Sequence, residues 1–150
     1  MPARYDWSAE HGLIVGRLGG LVEAADVIAA LDAAIADGRY PAGADRITLV
    51  EPGARLHRLE LDGLRRIQTV VAANERSAAR EPRYRSALVC DDAVKRPIIE
   101  LYRMLWTAGP FGGVAYRVAS DEASALDWLG RPSDALDSAS PPRKAAAEDG

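Results

Sequence analysis

The sequence predicts an α/β fold: a mixed, mostly parallel sheet with an N-terminal hairpin and about four helices. Three observations carry this. Short β-prone runs alternate with segments of helical periodicity, an order that needs crossover connections and therefore parallel neighbours. The first two runs are separated only by the polar segment "SAEHG", which suits a hairpin. At 150 residues, 48% of them hydrophobic, the chain suffices for one compact domain but not for two.

Residues 4–7 and 13–18 are the hairpin strands, with Gly12 closing the turn. In "LVEAADVIAALDAAIADG", Leu21, Ala25, Ile28, Leu31 and Ile35 recur at helical spacing and Gly38 supplies a stop. "DRITLVEPG" reads as a buried strand ended by Pro52 and Gly53. The next helix starts near Leu61. Leu61, Leu64, Ile67 and Val71 line one face, while Asp62, Arg65, Arg66, Thr69 and Arg76 fall on the other. "YRSALVCDD" is a strand, and "PIIELYRMLWTAG" is a helix opened by Pro97 and ended by Gly109-Pro110, with Ile98, Leu101, Tyr102 and Leu105 as its inner stripe. "GGVAYRVAS" alternates Val114, Tyr116 and Val118 against Ala115, Arg117 and Ala119, as a strand does. A short helix closes the domain at residue 130, capped by Ser120 and turning Leu126 and Leu129 inward. Residues 131–150 are Ser, Pro, Ala and charge without apolar periodicity, and are expected to form a disordered tail.

Charge narrows the function classes. With 19 Lys and Arg against 22 Asp and Glu, the net charge of -3 gives no reason to expect nucleic acid as a partner. One cysteine cannot form an internal disulfide, and "MPARYDWSAEHG" lacks the basic-then-apolar layout of a signal peptide, so a cytoplasmic location is expected. No apolar run approaches the ~20 residues that cross a bilayer, so no transmembrane segment is expected.

The element order, with "SALVCDDAVKRPIIELYRML" followed by "VAYRVASDEASALDWLG", resembles the SpoIIAA-like family of the STAS (sulfate transporter and anti-sigma factor antagonist) fold over roughly residues 4–130. The closing "ASALDWL" is the most specific piece. The resemblance implies a regulatory, protein-binding module. In anti-sigma factor antagonists the second helix opens on Asp-Ser-Ser-Gly-Leu, and a partner kinase phosphorylates one of the serines. Here the matching stretch is Glu60-Leu61-Asp62-Gly63-Leu64. Both serines are gone, and one carboxylate carries less charge and fewer acceptor oxygens than a phosphate, so Asp62 is at best a partial mimic.

Asp62 and Glu60 sit where a helix dipole favours negative charge, so capping alone accounts for them. The functional reading adds a protein-docking surface of Asp62, Gly63, Arg65 and Arg66. From Arg55 to Arg85 eight arginines face four acids, interleaved as on a solvated surface, and the one aromatic, Tyr84, gives no platform for stacking bases. Glu51, Asp91 and Asp92 follow parallel strands, where α/β sheets place their sites, but no phosphate loop accompanies them, so no metal or cofactor is expected. Cys90 in an apolar strand reads as a structural thiol, and neither His11 nor His57 has a context tying it to Cys90. Tyr102, Met104 and Trp106 run into the "TAGPFGG" loop with Phe111. These residues read either as core or as the wall of an apolar pocket under the third helix. SpoIIAA-like proteins are also similar in fold to CRAL-TRIO lipid carriers, which bears on the second alternative.

The expectation is therefore a non-enzymatic protein-interaction module. The alternative is a carrier or sensor of a small apolar or lipid ligand held by Tyr102, Trp106 and Phe111.

Overall fold

A computed structural model describes residues 2–76, 84–108 and 114–138. The hairpin strands β1 (Ala3–Ser8) and β2 (Leu13–Leu18) pair antiparallel, with Ala3 opposite Leu18 and Ser8 opposite Leu13. Strands β3 (Asp45–Val50), β4 (Arg85–Val89) and β5 (Ala115–Ala119) then add in parallel, giving a five-stranded sheet whose spatial order is its chain order.

The crossover helices α1 (Ala24–Ala36), α2 (Leu61–Glu75) and α3 (Arg96–Ala108) each follow a strand, and their buried residues belong to one core, on a single face of the sheet. The opposite face is covered by α4 (Glu122–Trp128) and α5 (Ala135–Ser138). Alternation along the strands feeds both cores: Ile14 and Leu88 point to the three-helix side, while Leu13, Val15, Ala87 and Val89 point to the other.

Several boundaries and faces differ from those expected. Leu21 is not in α1: Arg55 donates its backbone N–H to the Gly20 carbonyl at 2.7 Å and Val22 donates to the Arg55 carbonyl at 3.0 Å, which holds this stretch extended. The buried stripe of α1 is Ala24, Val27, Ala30, Leu31 and Ala34, with Ile28 and Ile35 at its margin. In α2 the expected Leu64, Ile67 and Val71 are buried, but Leu61, in the first turn, is exposed. In α3 the fully buried positions are Ile99 and Trp106, flanked by half-buried Ile98, Leu101, Tyr102 and Leu105. The α4 cap is Asp121, which accepts from the Ser124 N–H at 2.7 Å, in place of Ser120.

The largest correction concerns the chain after residue 130, where residues 131–138 are packed instead of forming the start of a tail. Arg131 donates to the carbonyls of His11 (2.7 Å), Gly12 (3.0 Å) and Leu129 (2.6 Å) and pairs with Asp45 at 3.2 Å. Ala135 and Leu136 are buried in the second core. Two apolar residues and one well-placed guanidinium hold the segment, with no apolar periodicity along it. The remainder of the expected tail, 139–150, lies outside the described residues.

Candidate functional site

The strand register sets two rows of side chains on the three-helix face. Ile14, Arg46, Ser86 and Tyr116 are successive partners in one row; Tyr5, Gly16, Thr48, Leu88 and Val118 form the next. Glycine is required at 16 because a Cβ there would stand 2.7 Å from the Tyr5 ring, which lies across it. The face is therefore polar at its centre.

Arg46, 4% exposed, is the buried charge. It pairs with Glu75 at 3.2 Å, donates to the Tyr40 hydroxyl at 2.8 Å and the Ala44 carbonyl at 2.8 Å, and lies 3.7 Å from the Tyr84 ring centroid. Glu75, 0% exposed at the end of α2, also accepts the Gly43 N–H at 2.7 Å. A buried charge of this kind needs a partner and satisfied hydrogen bonds, and this one has both. Burial pushes the phenols of Tyr5, Tyr40, Tyr102 and Tyr116 above the ordinary tyrosine value, so they remain neutral hydroxyls.

Two cavities adjoin this cluster. A small polar one of ≈ 20 Å³ is lined by Arg46, Ser86, Tyr102, Trp106 and Tyr116, among others. An apolar one of ≈ 60 Å³ lies between the sheet and all three helices, walled by Val27 of α1, Leu64 and Ile67 of α2, and Ile98, Ile99 and Tyr102 of α3. Tyr5, Thr48, Leu88 and Tyr102 border both. Leu56, Leu59 and Ile98 also line an outer groove of ≈ 520 Å³ at the carboxyl ends of β3 and β4, the end of a parallel sheet where ligands bind. The apolar chamber thus shares walls with an outer groove on one side and a hydroxyl-lined cavity on the other.

Of the expected pocket residues, Tyr102 and Trp106 come together: their rings meet edge-on at 5.7 Å, and Trp106 stacks on Tyr116 at 5.8 Å. Phe111 lies outside the described residues, as does most of "TAGPFGG". Asp62 is not the cap of α2. Glu60 holds the capping position, without a side-chain hydrogen bond, and Asp62 is an exposed residue of the first turn. Gly63 packs on α1, where a Cβ would meet that of Ala24 at 2.8 Å. Arg65 and Arg66 are exposed, and Arg66 borders a shallow groove between α1 and α2 with Ile28, Ala29, Asp32 and Val70.

The remaining candidates are dispersed. Glu51 and Asp91 are exposed; Asp92 is tied to Lys95 at 2.8 Å and to the Val94 N–H, which hold its carboxyl below the usual range. Cys90 is buried, with its thiol 3.8 Å from the Asp92 carbonyl. His11, paired with Glu10 at 2.9 Å, stands in the hairpin turn at the opposite end of the sheet from Cys90. Among the described residues no three His, Cys, Asp or Glu side chains converge as metal ligands would, and no helix is long and apolar enough to cross a membrane.

Arg46, Glu75, Ser86 and Tyr116 were not singled out from sequence. The available signal was the alternation in "RITL", where Arg46 and Thr48 are polar and Ile47 and Leu49 apolar; "SAL" and "YRV" carry no such pattern. The geometry therefore defines a sheet protein with an amphipathic interior. Compared with known proteins, the chain matches no family model, no curated protein and no solved structure.

Proposed function

We propose that this chain is a non-enzymatic, STAS-like module of SpoIIAA-like type that binds a small apolar molecule, as a carrier or sensor. The observation that carries the proposal is the apolar chamber between the sheet and its three crossover helices, which shares Leu56, Leu59 and Ile98 with a surface groove. Ligand sites combine apolar walls with a few convergent polar groups. Here Tyr102 and Thr48 stand at the junction with the hydroxyl-lined end.

A second reading, a protein-docking surface, has the groove between α1 and α2 in its favour. Its floor is Ile28, Ala29 and Val70 and its charged rim is Asp32 and Arg66, on the helix that also carries Asp62 and Arg65.

Native mass spectrometry of the chain purified from its own host separates the two. A bound small molecule that is released on denaturation is expected. A persistently ligand-free spectrum overturns the ligand-binding reading. If that spectrum instead carries a protein partner, lost on Arg66→Glu, docking on α1 and α2 takes its place.

A further inference from the structure

The groove outside the chamber carries a charge pattern that the proposed function leaves unused. Arg55, His57 and Lys95 line it, against a single acid, Asp92. Lys95 is engaged with Asp92 at 2.8 Å and with the Pro52 carbonyl at 3.2 Å. Arg55 and His57 are exposed and have no side-chain hydrogen bond or ion pair among the described residues. The backbone of Arg55 is nevertheless fixed by its bonds to Gly20 and Val22, so its side chain projects from a rigid base at the groove wall. The groove therefore has an uncompensated positive charge beside the apolar chamber.

We propose that the ligand is a short acyl chain ending in a carboxylate, bound with its alkyl end in the chamber and its carboxylate in the groove against Arg55. This rests on the ligand-binding reading above and adds the chemical class and direction of the ligand. Chain length follows from volume. At about 10–15 Å³ for each water-sized group, the ≈ 60 Å³ chamber holds roughly four to six such groups, which suits a short chain and not a long one. Direction follows from electrostatics. A carboxylate sent inward would meet Arg46, whose charge is already matched by Glu75 and whose N–H groups are engaged by Tyr40 and Ala44. A second buried anion there would be left without a counter-charge. In the groove the carboxylate keeps part of its hydration and gains a guanidinium.

The test titrates the chain with hexanoate and with 1-hexanol, its neutral counterpart, and follows backbone amide NMR shifts. Hexanoate is expected to bind about tenfold more tightly than the alcohol, the gain of one or more charge-assisted contacts. That advantage is expected to shrink with added salt and to vanish in Arg55→Ala and Arg55→Glu. Arg58→Ala, outside the groove lining, is expected to leave it unchanged. Equal affinity for the two compounds, or an Arg55→Ala protein that still prefers hexanoate, overturns the carboxylate assignment while the chamber reading stands. If neither compound shifts the amides of Leu59, Ile98 and Tyr102, both are overturned.

Discussion

Arg46 stays charged wherever it is placed, so its burial commits the surrounding residues to matching it. Burial itself works against the charge, but Tyr40, Tyr84 and Glu75 together hold its pKa above the ordinary arginine value. Removing one partner of such a pair strands the other. Glu75→Ala is therefore expected to destabilise the fold by about 3–5 kcal/mol, whereas Arg46→Met combined with Glu75→Leu should recover most of that loss. Urea unfolding of the single and double variants checks this, and a Glu75→Ala loss below about 1 kcal/mol would contradict the pairing. The sequence hid the pair because the two residues are 29 positions apart, and because Glu75 closes a helix whose exposed face carries many charges. The alternation in the strand placed Arg46 on one face, but nothing local told which helix end would meet it. Tyr102 and Trp106 were legible for the opposite reason: both lie on one helix, where spacing alone brings them together.

The helices and strands themselves were readable in order, since periodicity of apolar residues distinguishes them even when their ends do not. Ends depend on partners from elsewhere. Val22 and Leu21 stay extended because of Arg55, and α4 starts at the residue whose carboxylate reaches the Ser124 N–H. Gly63 shows the same dependence. Within α2 a glycine is unfavourable, and Ala would gain up to about 1 kcal/mol of helix propensity. Against this stands the 2.8 Å approach to the Ala24 Cβ, an atom on a helix backbone that has no rotamer with which to move aside. Overpacking of this kind costs about 1–3 kcal/mol, so Gly63→Ala is expected to be net destabilising, and Ala24→Gly in the same chain to reverse part of the loss. A denaturation cycle over the four proteins measures the coupling; a Gly63→Ala protein as stable as the parent would mean that α1 and α2 meet more loosely. A glycine that looked like the mark of a switch-type helix start thus has a packing reason of its own.

At the scale of the molecule, one face of the sheet gathers all five tyrosines, Tyr5, Tyr40, Tyr84, Tyr102 and Tyr116. Burial raises the pKa of each. In the unfolded chain they would ionise near the ordinary value of about 10. The folded state then holds more protons than the unfolded one above that pH, and stability falls as pH rises. The contribution is complete below pH ~10 and disappears in the alkaline range above it. Spectroscopic titration is expected to show tyrosinate appearing late and together with loss of far-ultraviolet dichroism. Independent ionisation of the five at ordinary values, before any unfolding, would refute the shared interior. That interior was only partly legible, because composition gives the number of tyrosines and not the register that unites them. Order in space is also order in time for a sheet whose strands follow chain sequence. A chain emerging from synthesis can add each strand beside the last, every parallel pair closing over one strand–helix unit. Arg131 is the exception: its bonds to His11 and Gly12 span about 120 residues and join the last described segment to the first turn. It acts as a clasp that can shut only when everything between is present, so its closure marks a completed sheet.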